Sequence, residues 1–372
     1  MPQGLYSTIM NKQEKIKNFD PSQPGLADES IFGLPFTSEE SEIVIIPVPW
    51  EVTVSYGSGA SDGPEAILEA SFQVDLHHQD FPDLWKLGMY FDWNDQTKNW
   101  SANSIKFKGL AQPIIAALES GEVIESHPTL QSDLDKINKV CRELKDEVKE
   151  RVLYWTKKGK KVVLLGGDHS TPLGYYEALA EQHDNFGILH LDAHMDLRIA
   201  YEGFTYSHAS IMYNALQLSQ ISKIVQIGIR DFCKQEVETV MEQGNRVQVH
   251  TDSDMKAETF RGITWEQQCN HIIASLPQKV TISFDVDGMY SWYCPNTGTP
   301  VPGGFSFEQA TYLFNKLADS GKEIIGFDLV EVAPGDNDWD GNVGARMLYH
   351  MCGVLAKNNG LDVGKKIVFN QK

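Results

Sequence analysis

Three short segments bear the residue types that hold metals and move protons: 166–170 (GGDHS), 192–196 (DAHMD) and 283–288 (SFDVDG). Each ends an apolar run of strand length, at 161–165, 187–191 and 280–284. In an open α/β sheet, ligands bind at the carboxyl ends of the strands. Side chains two apart on an extended segment project to one side. Asp192, His194 and Asp196 are therefore expected to converge, as are Asp285 and Asp287. With His169 they place four carboxylates and two imidazoles at one sheet edge. Unpaired, such carboxylates would repel one another and take up protons, whereas two divalent cations would balance them. A set rich in oxygen with two nitrogens suits Mn²⁺ best among common metals. Ni²⁺, Co²⁺ and Zn²⁺ stay compatible, because geometry and supply also decide. Each segment alone has a plainer reading, as a glycine turn, a polar loop or a wet strand end. Their recurrence at strand ends, in a chain with no competing motif, points to a binuclear metal site.

The elements that must carry these residues are legible from periodicity. The run IVIIPV at 43–48 reads as a first buried strand. From Asp133, apolar residues recur at helical spacing (Ile137, Val140, Cys141, Leu144, Val148, Val152, Trp155), and Gly159 is a natural stop. Further strands are expected at 161–165, 187–192, 224–229, 247–250, 280–287 and 324–332. Helices are expected after Thr171-Pro172 and near 209–218, 236–243, 265–275, 306–318 and 342–355. Alternating βα units with continuous apolar strands predict a parallel sheet covered on both faces. Residues 1–40 are polar and Pro/Gly-punctuated, and read as an N-terminal arm before a single domain over 41–372. Residues 81–121 carry Trp85, Tyr90, Phe91, Trp93 and Trp100 without a clean period. They read as an insertion or lid, or as half-buried surface structure.

Taken as a set, the three segments resemble the signatures of the ureohydrolases, the arginase/agmatinase/formimidoylglutamase family. PNTGTPVPGG (295–304) and LVEVAP (329–334) resemble the family's later loops, in the right order, and the likeness runs from about Ile43 to the C-terminus. The resemblance implies a three-layer α/β/α arginase-like fold with a mainly parallel sheet, two divalent metal ions, and a homo-trimer or homo-hexamer. It implies one metal held by His169, Asp192, Asp196 and Asp285, and another by His194, Asp192, Asp285 and Asp287. A water between them would lose its proton near neutral pH and attack an amidine carbon. Asp196 thereby belongs to the catalytic group as well. Glu331 matches the carboxylate that pairs with the guanidinium; its plainer reading is a strand-end acid. Thr299 matches a pocket residue. His208, in YSHAS, matches a histidine that passes protons to the leaving amine, or is a histidine at a helix start.

Two departures bear on substrate. Arg198 stands where arginases place a small amide, and Cys233, in GIRDFC, stands where they have a second acid; Asp231 remains. Arg198 resembles the DLR segment of formimidoylglutamate hydrolases, where a cation could meet an acidic tail, or it forms a salt bridge in the pocket wall. The 81–121 segment resembles the extended N-terminal part of the guanidine hydrolase branch. The expected substrate is thus guanidine or a small guanidino acid, releasing urea. Alternatives are formimidoylglutamate (releasing formamide), agmatine or arginine, a catalytically silent metal binder, and a mononuclear zinc deacetylase.

Bulk properties narrow the classes. The 372-residue chain is 41% hydrophobic and 22% charged, ordinary for a globular protein. A net charge of −19 argues against nucleic acid, since phosphates must be neutralised by Lys and Arg. No run approaches the roughly 18–20 apolar residues of a membrane span. The polar N-terminus lacks the apolar core of a signal peptide. Five scattered cysteines, with no CxxC, suggest neither a disulfide framework nor a thiolate zinc site. A cytoplasmic enzyme acting on a small guanidino or amidine substrate, with no nucleic-acid or membrane partner, is the expectation.

Overall fold

In the computed structural model, which describes residues 10–23 and 30–369, the apolar runs lie side by side in one sheet. Its strands are β1 (Ile43–Val48), β2 (Met89–Phe91), β3 (Lys161–Gly166), β4 (Phe186–Leu191), β5 (Ile221–Ile229), β6 (Val247–Thr251), β7 (Lys279–Asp285) and β8 (Glu323–Val330). They are all parallel, in the order β2-β1-β3-β8-β7-β4-β5-β6. The strands that carry the metal-type motifs, β3, β4 and β7, thus sit with β8 at the centre. Alternate residues of these strands enter different cores. Val163, Leu165, Leu189 and Phe284 face one layer, and Val162, Leu164, Ile188 and Val330 face the other. That two-sided burial is why the strands read as continuous apolar runs.

Helices close both faces. On one lie α9 (Trp265–Ser275), α10 (Phe307–Ala318) and α11 (Trp339–Asn358), and on the other α4 (Pro128–Lys157) and α5 (Leu173–Gln182). The stripe from Ile137 to Trp155 is the buried face of α4. Burying each such side chain contributes roughly 1.5–3 kcal/mol against the entropy of ordering it. The helix starts five residues before Asp133, at Pro128, where proline's missing N–H costs nothing.

Two expectations are corrected and a third takes definite form. The N-terminal forty residues are not merely an arm: Ile31, Phe32, Leu34 and Phe36 are core residues, each at most 3% exposed. Residues 1–9 and 24–29 of that segment lie outside the described residues. Residues 81–121, read as an insertion, a lid or half-buried surface structure, are packed into the fold, with Phe81, Leu84, Met89, Phe91 and Trp100 buried. They form the edge strand β2 and the 25-residue helix α3 (Asp95–Glu119). Their aromatics are tied into α4: Trp100 Nε1 donates to Glu147 at 2.6 Å, and Asp92, which pairs with Arg151, accepts from Trp155 Nε1 at 2.7 Å. Such polar pairings between aromatic tips and acids across α3, α4 and the β2 edge disguise the buried face, which is why no clean period shows. The helix expected near 209–218 shrinks to a 3₁₀ turn at His208–Ser210 and the five-residue α6 (Ile211–Ala215). Two further helices, α7 (Lys234–Gln243) and α8 (Asp252–Phe260), flank β6; α8 went unforeseen, as did α1 (Lys12–Asn18) and α2 (Gly63–Ser71).

Candidate metal centre and substrate cavity

Strand register sets a polar row beneath the motifs. Gln226 of β5 pairs with His190 of β4, His190 with Ser283 of β7, and Ser283 with Asp328 of β8. All four are fully buried. Hydrogen bonds link the row: Gln226 Nε2 meets His190 Nδ1 at 2.9 Å, Ser283 Oγ donates to Asp328 at 2.9 Å, and Tyr176 OH donates to Asp328 at 2.8 Å. It ends on the motif residues, because His190 Nε2 meets Asp192 Oδ2 at 2.8 Å and Ser283 Oγ meets His169 Nε2 at 2.9 Å. The sequence reading missed this row. Its signal was there: single polar residues inside otherwise apolar strands, as in ILHL and IVQI.

Above the row, His169 Nδ1 lies 3.0 Å from Asp192, 3.1 Å from Asp196 and 3.2 Å from Asp285. This buried nitrogen has no hydrogen-bond partner. A ring whose other nitrogen is fixed by Ser283, and whose free one faces three carboxylates, presents a cation-binding set. His190 is close by, but Gln226 and Asp192 occupy both its nitrogens. A second focus lies beside the first: His194 Nδ1 is 3.4 Å from Asp192 and 3.0 Å from Asp287.

The convergence does not come from extended backbone. The chain bends after β4, and Asp196 sits at φ +54°. That turn sends Asp192 and Asp196 to one focus and His194 to the other, where a bridge to Asp231 holds it. Glu331 also has positive φ, +65°. Left-handed geometry in such residues costs on the order of 1–3 kcal/mol and clusters where side chains must be aimed. Asp287 accepts from the Ala193 amide at 2.9 Å, and Asp285 from the Asp287 amide at 2.8 Å, which joins the loops of β4 and β7.

Electrostatics show a shortage of positive charge. Burial works against the Asp192 carboxylate, yet His190, His169 and His194 hold it well below the usual range. Asp285 is pushed well up, by burial and then by Asp287 and Asp192, and Asp196 up to about 7, by burial and then Asp192. His169 is raised despite burial by the three acids around it. More carboxylate than cation has been gathered here, and divalent ions fit that deficit.

A cavity of about 190 Å³ opens beside the second focus, lined by His194, Asp196, Arg198, Tyr201, His208, Asp231, Glu236 and Thr299 among others. None of the described residues of 81–121 lines it. A smaller annex, shared through Tyr56, His208 and Thr299, reaches Glu331. Glu331 accepts from the His169 amide at 2.8 Å. Burial, then Asp285 and Asp168, push its carboxyl up; a guanidinium would act in the opposite sense. Thr299 reaches Asp287 at 3.4 Å. His208 is half-buried, edge-on to Tyr201, and is pushed down to about 4 by burial and then by the charges of His194 and His169. Arg198 lies over the Tyr201 ring at 4.8 Å. No carboxylate among the described residues ion-pairs with it, so the wall salt bridge is not formed. Asp231 is exposed at the mouth. Glu236, unforeseen, is buried in the wall; it accepts from the Leu197 amide at 3.1 Å and the Cys233 amide at 2.8 Å.

The arginase family profile matches residues 41–353. The N(1)-aminopropylagmatine ureohydrolase of Thermus thermophilus is 29% identical over 330 residues, 88% of this chain and 93% of its own. The agmatinase of Neisseria meningitidis is 30% identical over 311 residues, covering 82% and 84%. The crystal structure of the agmatine ureohydrolase of Thermoplasma volcanium shares the fold, with a TM-score of 0.66, 22% identity, and coverage of 93% of this chain and 98% of that one. With the parallel sheet and the histidine–aspartate foci at its centre, these findings establish that the chain belongs to the arginase family, the ureohydrolases, enzymes that hydrolyse C–N bonds in linear amidines.

Proposed function

We propose that this protein hydrolyses a small guanidino compound to urea and ammonia or an amine, with guanidine or a short guanidino acid as substrate. The observation that carries the reaction is the unpartnered Nδ1 of His169 among three carboxylates, one loop away from Glu331. His169, Asp192, Asp196 and Asp285 would hold one divalent ion, and His194, Asp192, Asp285 and Asp287 the other, manganese by preference and nickel as the alternative. When bound, the ions supply a water that ionises near neutral pH.

The chain's own groups do the rest. Glu331 pairs with the guanidinium and turns its planar carbon toward the metal residues. His208, neutral at working pH, accepts a proton at its ring nitrogen and passes it to the leaving amine. Thr299 holds the cavity wall against Asp287. Arg198 disfavours a cationic tail, being fixed on Tyr201 without a carboxylate of its own, and suits a neutral or acidic one; formimidoylglutamate is the alternative acidic substrate. The reading includes assembly as a homo-trimer or homo-hexamer. No described helix is long and apolar enough to cross a membrane.

A second reading takes a cationic tail like that of agmatine. Asp231 and Glu236 in the same cavity support it, as do the relatives' names. The deciding measurement is kcat/KM of the metal-loaded enzyme on guanidine, 4-guanidinobutyrate, formimidoylglutamate, agmatine and arginine, scored for urea, formamide and ammonia. Agmatine or arginine leading by tenfold, roughly 1.4 kcal/mol of transition-state preference, would replace the first substrate reading by the second.

A further inference from the structure

One wall of the cavity is the loop that follows β1, which supplies Ser55 and Tyr56, with Gly57 in the annex. At its tip, the Gly57 amide donates to Gly298 O at 3.0 Å, next to Thr299; any side chain on Gly57 would run into that carbonyl. Tyr56 projects beside it, 86% exposed. Between Ser55 and Gly59 the one apolar side chain is this exposed tyrosine, so the tip is held by polar anchors.

Besides the Gly57–Gly298 bond, those anchors converge on Glu51. Its side chain is nearly buried and accepts from the Gly59 amide at 2.7 Å, Ser58 Oγ at 3.2 Å and Lys108 Nζ at 2.5 Å. Lys108 also donates to Ser58. A second contact from the same helix fixes the loop's start, Ser104 Oγ accepting from the Glu51 amide at 3.0 Å. Burial opposes the Glu51 charge, but Lys108 and the Gly59 amide outweigh it and keep the carboxyl ionised. Helix α3 is itself locked onto α4 through Trp100 and Glu147.

We propose that Lys108 is a positioning residue for the substrate cavity: through Glu51 and Ser58 it clamps the loop whose Ser55 and Tyr56 form one wall. The segment that does not cover the site thus acts on it at second hand. Because Lys108 touches neither the metal residues nor Glu331, its loss loosens the wall without removing a reacting group. This rests on the cavity being the substrate site, as proposed above.

The test uses Lys108→Met, Lys108→Arg and Lys108→Met/Glu51→Gln in the full chain. The double variant removes the buried unpaired carboxylate that the single one leaves, so folding does not decide the result. In substrate-free protein, chymotryptic cleavage after Tyr56, read by mass spectrometry, should be roughly fivefold faster in both Met variants, since cleavage follows the population of the open loop. Lys108→Arg should restore slow cleavage. With whichever compound of the substrate series turns over, KM should rise about five- to tenfold with kcat within about twofold and metal content unchanged. Unchanged cleavage at Tyr56 in the double variant overturns the clamp, as does faster cleavage with an unaltered KM. Failure of every compound to turn over would overturn the reaction instead, and the cleavage rates would still decide the clamp.

Discussion

Oδ2 of Asp192 is shared between two imidazoles: His190 Nε2 meets it at 2.8 Å from below and His169 Nδ1 faces it at 3.0 Å from above. Because Gln226 occupies the other nitrogen of His190, that ring presents its N–H to the carboxylate. Asp192 therefore reaches both foci with its orientation already set.

Replacing Asp192 by Ala should empty both metal sites, since it faces His169 in one and His194 in the other. Asp285→Ala should do the same if it bridges, whereas His169→Ala should weaken one site. Elemental analysis should fall from about two ions per subunit toward none for Asp192→Ala, each site having lost an anionic ligand. His190→Phe should keep two ions at saturation but lower affinity about 10- to 100-fold, as removal of ligand-orienting groups does. A full metal complement in Asp192→Ala would show that the ligands are assigned wrongly.

Glu331→Gln tests the guanidinium contact apart from the metals. The amide keeps the shape and still accepts from the His169 amide, but loses the charge. We expect kcat/KM to fall about 100-fold, roughly 2.7 kcal/mol, with metal content unchanged. Equal loss of metal and activity would move Glu331 into the metal-holding group.

His208 has a pH signature whose sign follows from its environment. With its folded value near 4 and an ordinary value of 6.5, it stays unprotonated throughout pH 6–10. The deficit of His208→Ala, roughly 10²-fold in kcat, should therefore be flat across that range, and imidazole should partly restore the rate. Stability behaves differently below it. Between 6.5 and 4 the unfolded chain binds the extra proton, so stability tied to His208 is present above that window and lost as pH falls through it. An unchanged rate for His208→Ala would remove the residue from the mechanism.

Arg198→Ala should separate substrates rather than slow all of them. An acidic-tailed guanidino compound should lose about tenfold in kcat/KM, guanidine less than about threefold, and agmatine should gain. Thermal stability should hardly move, because Arg198 has no ion pair to lose. A uniform loss across the series would make Arg198 a support for Tyr201 instead.

Much of this protein is decided by local pattern. Continuous apolar runs with β-branched residues set most strands, and the stripe on α4 set its buried face. The motifs stand at strand ends because polar residues interrupt apolar runs there. What pattern does not carry is any relation made by parallel register or by a turn. Gln226, His190, Ser283 and Asp328 are scattered between positions 190 and 328 and become one row only when four strands align. Asp196 meets Asp192 through a left-handed bend, not through extended alternation. Trp100 and Asp92 look like surface residues until α4 supplies Glu147 and Arg151. Lys108 is one exposed-looking lysine among many until α3 lies against the loop after β1. Each of these depends on contacts between residues far apart in the chain, whose partners exist only once the layers have closed.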